Sequence, residues 1–242
     1  MTTIEATMTL GALVTAHPEV AAELDRAGLD YCCDGKRTIA SACADRGLDL
    51  YTVVSELSRL AVRHPAPAWA SMTATQLVDH IEATHHRYLW AELPRLVIAA
   101  AALDSTEDHR YAELHSVVSC VETIRSEFEP HLLDEERMLF PRIRELDQHE
   151  TLPEFHCHTL GGPISGVRRE HEHVDEILDL LRKVTHGYRA PSGVDPAWAA
   201  LYGRLARLDA DTHLHSHKEN NVLFPLVTRL EERARRHRAA QN

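Results

Sequence analysis

Two eleven-residue segments hold the residues best suited to chemistry. His131 to Pro141 reads HLLDEERMLFP and His215 to Pro225 reads HSHKENNVLFP. Both fit H-x3-E-x3-L-F-P with every spacing identical. On a helix, residues i and i+4 project from one face with Cβ atoms about 6 Å apart. An imidazole and a carboxylate so placed make a chelating pair. The Leu-Phe one turn later is suited to packing, and the proline is expected to bend or end the helix. A bare His-x3-Glu pair carries little weight in a chain with 18 histidines. A third pair, His109 with Glu113, lacks the L-F-P frame and reads as surface decoration. Five matched positions in two separate segments are another matter.

A second regularity extends the pattern. His86 precedes His131 by 45 residues, and His171 precedes His215 by 44. Each half of a bundle then offers one histidine on its first helix and a His-x3-Glu on its second. Two such halves packed antiparallel bring His86, His131, His171 and His215 toward Glu135 and Glu219, as in sites built in bundle cores from facing helices. With the carboxylates bridging two metals and the imidazoles terminal, positions stay open for an oxo, hydroxo or small-molecule ligand. Mixed nitrogen and oxygen ligation suits iron better than magnesium or calcium, with zinc and manganese still open. His85 is the rival of His86, one residue out of register. His80 reads as core or as a support for a ligand. His115, His173, His213 and His217 lie off the proposed axis and read as solvent-facing or supporting. Glu170 reads as an exposed glutamate, with a bond to a ligand as the alternative.

Cys32 and Cys33 are a second candidate. A disulfide between neighbours closes a strained eight-membered ring and is easily reduced, which fits a redox role better than a structural bridge. Lys36 and Arg37 are close enough in sequence to lower a thiol pKa. Two thiols do not fill a tetrahedral zinc site, and two ordinary cysteines in a turn remain the plain alternative. Cys43, Cys120 and Cys157 read as buried small apolar residues or incidental thiols.

These residues need helices to position them. Glycine and proline, 10 and 11 in 242 residues, sit at punctuation points. Four long helical stretches are predicted, at 75–103, 106–147, 163–186 and 196–238, with apolar residues recurring at three- and four-residue spacing. Before them, short helices are predicted between Thr9 and Val62, with Thr9 and Asp49 as N-caps, Pro18 at a helix start and Gly28 at a helix end. No alternating strand pattern occurs, so the predicted class is all-α. Arg63 to Trp69, RHPAPAW, marks the boundary. It gives a small helical domain at 1–63 with the vicinal cysteines, a linker at 64–74 and a four-helix bundle at 75–242. Net charge of −11 argues against nucleic acid as a partner. No apolar run is long enough for a bilayer, and the N-terminus does not read as a secretion signal. Five cysteines without framework spacing suggest a reducing compartment, so the chain reads as cytoplasmic.

The chain resembles the iron–sulfur cluster repair di-iron proteins, the repair-of-iron-centres family, over nearly its whole length. LDYCCDGKRTIASAC (Leu29 to Cys43) is similar to that family's short DYCCxGK domain. The segments LVDHIEATHHRYLWAELPRL, HLLDEERMLFP, GPISGVRREHEH and HSHKENNVLFP follow in the family's order. Asp34 departs from it, standing where many relatives have glycine. The resemblance implies a hemerythrin-like antiparallel bundle holding two non-haem irons, carboxylate- and oxo-bridged. The implied ligands are His86, His131, Glu135, His171, His215 and Glu219, with Glu135 and Glu219 bridging. It further implies a cytoplasmic homodimer that restores iron–sulfur clusters damaged by nitric oxide or peroxide, with reduction of nitric oxide to nitrous oxide as a further activity. Its partners would be damaged iron–sulfur proteins and a small diatomic ligand. Cys32 and Cys33 would be thiol reductants or transient acceptors of iron or nitrosyl.

Two readings of other classes stay open from sequence. One is a hemerythrin-type oxygen or nitric oxide carrier or sensor, against which the symmetric set of four histidines argues. The other is a bundle that uses zinc or no metal, with the N-terminal part as an interaction module.

Overall fold

The computed structural model describes residues 4–61, 67–107, 111–149 and 159–241. Among them the chain is all-α. The short N-terminal helices start and stop where local chemistry dictates. Thr9 caps α1 (Leu10–Ala16), its hydroxyl accepting from the Ala12 amide. A 3-10 turn, Pro18–Val20, leads into α2 (Ala21–Ala27), which ends at Gly28 with φ 67°, a left-handed conformation that suits glycine. Thr38 caps α3 (Ile39–Arg46), and Asp49 caps α4 (Leu50–Leu60) through the Thr52 amide at 2.8 Å. Linker residues 64–66 lie outside the described residues, and Ala68–Ser71 form one 3-10 turn.

The long helices are α5 (Ala74–Ile81), α6 (Arg87–Thr106), α7 (Ala112–Asp134), α8 (Phe140–His149), α9 (Gly161–Val184), α10 (Pro196–His217) and α11 (Phe224–Gln241). Three of the junctions are π-helical turns: Glu82–His86, Glu135–Leu139 and Lys218–Leu223. Of the two outcomes expected at L-F-P, the structure corrects one, the ending of the helix. Pro141 and Pro225 neither end nor break the run, because α8 and α11 continue through them. A proline lacks an N–H and pushes on the carbonyl four residues back. The wider i→i+5 turn just before each proline relieves that clash.

The chain divides into two compact units, 1–80 with 142–164 and 213–242, and 81–141 with 165–212. In the second, α6, α7, α9 and α10 supply one continuous core that includes Leu89, Leu93, Val121, Phe128, Leu178, Trp198 and Tyr202. Asp104 near the end of α6 meets His115 near the start of α7 at 3.0 Å, while Trp90 near the start of α6 donates to Glu136 just past α7. Those two helices therefore run antiparallel. Arg182 on α9 pairs with Asp209 on α10 at 2.8 Å, and Arg204 on α10 with Glu92 on α6 at 2.7 Å. In the first unit, Leu10, Leu13, Val14, Leu24, Tyr31, Ile39 and Leu57 form a core for α1–α4, and Leu214 packs against it. No described helix is long and apolar enough to cross a membrane.

Candidate metal centre

In the second unit the π-turn Glu82–His86 decides the register that sequence left open. It aims His86 Nε2 at Glu135 Oε2, 3.4 Å away, and turns its neighbour His85 to Asp211 at 3.0 Å. His131 stands one turn before Glu135, and its Nε2 also lies 3.4 Å from Glu135 Oε2. The ligating atoms of His131, Glu135 and His171 lie within 4.8 Å of one another. All four residues are buried, Glu135 to 1% exposure.

The outer nitrogens of the two imidazoles beside Glu135 are engaged. His86 Nδ1 lies 3.0 Å from Glu136 Oε1, which also accepts from Trp90 Nε1 at 2.9 Å. His131 Nδ1 lies 2.8 Å from Glu170 Oε2. A carboxylate at Nδ1 fixes the tautomer with the proton there, leaving a lone pair on Nε2 toward Glu135. The hydrogen bonds to His86 and His131 are also the largest influence holding Glu136 and Glu170 below the usual glutamate range. Glu170 is thus a bonding partner of a ligand candidate rather than the plain exposed glutamate that sequence favoured. Rings wedge the imidazoles in place. Phe140, the phenylalanine of the first L-F-P, stacks on His86 with centroids 5.3 Å apart, and Phe128 meets His131 edge-on at 5.6 Å.

Glu135 provides the test of fit. Neither of its carboxylate oxygens accepts a hydrogen bond among the described residues. Burying a carboxylate so poorly satisfied is costly unless a cation compensates it. His86 Nε2 and His131 Nε2 each lie 3.4 Å from Glu135 Oε2, and each of these distances matches one edge of a coordination polyhedron with bonds of about 2 Å. The residues therefore fit a borderline transition metal: nitrogen-rich, with carboxylate oxygen and no thiolate.

In the first unit His215 and Glu219 repeat the pair. His215 Nε2 lies 2.9 Å from Glu219 Oε1, both fully buried, at the entry to the π-turn Lys218–Leu223. Of the surrounding histidines read as solvent-facing or supporting, two drop the first alternative. His213 and His217 do not face solvent. His213 is buried against Asp25 at 2.8 Å, and His217 lies edge-on to Tyr31 and Trp69. Burial pushes His217 down to about 4, the Lys218 charge adding to the effect and the Tyr31 carbonyl opposing it. His80 lies 2.9 Å from Lys218 Nζ. His173 is exposed near Glu176, His115 is bound to Asp104, and Glu113 accepts from the Tyr202 hydroxyl. His109 lies outside the described residues.

The vicinal cysteines sit in the same unit as the second pair. Cys32 and Cys33 are not joined by a disulfide and have Sγ atoms 3.5 Å apart. Asp30 collects the loop: its carboxylate accepts from the amides of Cys32, Cys33 and Asp34 at 2.9, 2.8 and 3.1 Å. Arg37, expected near the thiols, instead pairs with Asp34 and Asp45. Burial raises the thiol pKa values of Cys43 and Cys120, in keeping with inert core cysteines, and Cys157 lies outside the described residues.

Sequence reasoning missed Glu136 and the pair Asn220–Asn221. Nothing in the motif separates Glu136 from an ordinary solvated glutamate. The asparagines immediately follow Glu219, and the side-chain amide groups of both donate to carbonyls of the cysteine loop.

Residues 6–61 match a domain of unknown function (DUF542), and residues 162–242 match the hemerythrin HHE cation binding domain. The chain is 29% identical over 216 residues to the iron–sulfur cluster repair protein YtfE of Escherichia coli strains UMN026 and 536. The same holds for YtfE of Shigella boydii strain Sb227. In each case the match covers 89% of this chain and 94% of the relative.

Proposed function

We propose that this chain, similar to the iron–sulfur cluster repair protein YtfE over 89% of its length and to the hemerythrin HHE cation binding domain over residues 162–242, repairs iron–sulfur clusters damaged by nitrosative or oxidative stress, using two irons bound in its bundle. The proposed ligands are His86, His131, Glu135, His171, His215 and Glu219, with Glu135 and Glu219 bridging and an oxo group between the metals. The observation that carries this reading is Glu135, a buried carboxylate with no hydrogen bond among the described residues, faced by two imidazole Nε2 atoms. The repeated His-x3-Glu supports the second half of the set, and within its own unit it has the same intimate pairing.

Each residue has a part that follows from its surroundings. Glu136 and Glu170 hold the Nδ1 protons of His86 and His131, which keeps those rings oriented and makes Nε2 a better donor. Phe128 and Phe140 fix ring planes and exclude water. Bound iron would supply one-electron chemistry and open positions for a small diatomic ligand, for which nitric oxide is proposed. Cys32 and Cys33 would serve as thiol reductants or transient acceptors of iron or nitrosyl. Residues 1–63 would form the thiol-bearing module and 75–242 the bundle. A homodimer in a reducing cytoplasm completes the proposal.

The test is anaerobic purification with iron and zinc counts per chain and Mössbauer spectra. A damaged iron–sulfur enzyme is then assayed for recovery of activity. About two irons per chain, antiferromagnetically coupled, with recovery that fails in Glu135→Leu, is the expected result. Zinc-only or metal-free protein that restores the damaged enzyme equally well would overturn the reading.

A further inference from the structure

The cysteine loop is clamped to the helical turn that carries Glu219, and the clamp closes on two consecutive peptide carbonyls. Asn221 Nδ2 donates to the carbonyls of Tyr31 and Cys32, both at 3.0 Å, and Asn220 Nδ2 donates to the Cys32 carbonyl at 3.2 Å. The fit leaves no slack. A Cβ on Gly35 would lie 2.3 Å from Asn221 Oδ1, and one on Gly11 would lie 2.9 Å from it. Gly11 and Gly35 are themselves joined, amide to carbonyl, at 2.8 Å. The loop, α1 and the π-turn Lys218–Leu223 are thus locked by two side chains directly following Glu219.

We propose that Asn220 and Asn221 are positioning residues that make the Cys32–Cys33 pair a redox latch: oxidation of the pair to a disulfide releases the turn bearing Glu219 and loosens the metal. This inference rests on the ligand assignment made above. The chemistry balances with hydrogen peroxide as oxidant. The Cys33 thiolate, on the half-buried member of the pair, attacks the peroxide; an S–O bond forms, the O–O bond breaks, and water departs after protonation. The Cys32 thiol then attacks that sulfur, the S–S bond forms, and the S–O bond breaks with loss of a second water. Two thiols lose two electrons and two protons, and one peroxide becomes two waters.

The disulfide ring contains the carbonyl carbon of Cys32 and the amide nitrogen of Cys33. Bringing the sulfurs from 3.5 Å to about 2 Å rotates the Cys32–Cys33 peptide group, the one that both asparagines hold. Its oxygen leaves Asn220 and Asn221, and its N–H leaves Asp30. Contacts just outside a ligand shell change metal affinity by about 10–100-fold when lost. Latch release is expected to act on that scale.

The experiment uses full-length, iron-loaded protein held anaerobically. Ferrous release to a chelator is timed with the thiols reduced, and again after stoichiometric oxidation by diamide, a thiol oxidant that spares iron. Thiols are counted in parallel. Oxidation should speed release of wild-type iron by about tenfold or more. Cys33→Ser should show no such acceleration. Asn220→Ala, the milder of the clamp variants, and Asn221→Ala should release iron quickly already when reduced, with little further effect of diamide. Helical content checked by circular dichroism shows whether each variant folds. Iron held equally well by reduced and oxidised wild-type protein would overturn the latch and leave the ligand assignment standing. Failure of reduced wild-type protein to hold iron would overturn both.

Discussion

Replacing Glu135 with leucine separates the two roles a buried carboxylate can have. Glu135 is 1% exposed, accepts no hydrogen bond among the described residues, and stands 3.4 Å from two imidazole nitrogens. A group in that state contributes desolvation cost with little return. An apolar side chain of similar size should stabilise the apo protein by about 1–3 kcal/mol. At about 2–4 °C per kcal/mol for a chain of this length, apo Tm should rise by about 2–12 °C. Loading should reverse the order. Metal at roughly a thousandfold above Kd adds about 4 kcal/mol to the wild type, or about 8–16 °C, because it binds the folded chain alone. The leucine variant should lose most of that gain. Thermal melts of both proteins, chelated and iron-loaded under argon, give the four numbers. An apo variant less stable than apo wild type would refute the argument, since Glu135 would then be held by protein contacts and not reserved for a cation.

The remaining expectations follow from single contacts. Glu136→Ala and Glu170→Ala each strip an Nδ1 partner from a ligand candidate, so each should weaken metal binding by about 10–100-fold in competition with a chelator while leaving helicity unchanged. Gly35→Ala drives a Cβ into Asn221 and should cost about 1–3 kcal/mol in denaturant unfolding, with faster thiol labelling of Cys33 in the folded state. Asp49 is held below the usual aspartate range by the Thr52 hydroxyl and amide. A depressed carboxylate contributes stability that is present above its unfolded pKa and lost as pH falls through the folded one. Asp49→Ala should therefore melt lower than wild type at neutral pH, with the difference closing at pH values below the ordinary carboxylate range.

Much of this protein is written locally. The caps Thr9 and Asp49, the Pro18 start and the Gly28 stop were legible because each depends on one side chain and the few backbone groups beside it. The repeated H-x3-E-x3-L-F-P brought out the two candidate His–Glu pairs for the same reason, since a helix fixes the geometry of i and i+4 whatever surrounds it. Recurrence at 45 and 44 residues pointed to His86 and His171, but it could not separate His86 from His85. That choice turns on a π-turn, a one-residue widening governed by packing, which leaves no periodic signature. The same turns let Pro141 and Pro225 pass inside helices that the sequence expected them to bend or end. Glu136 and Glu170 looked like ordinary solvated acids until the fold set an imidazole nitrogen beside each. Asn220 and Asn221 became a clamp only because a loop almost 190 residues away folds onto them. The sequence by itself determined the residues able to bind and the helices that carry them. Tertiary structure decided which face each one, because partners distant along the chain meet only when their helices pack.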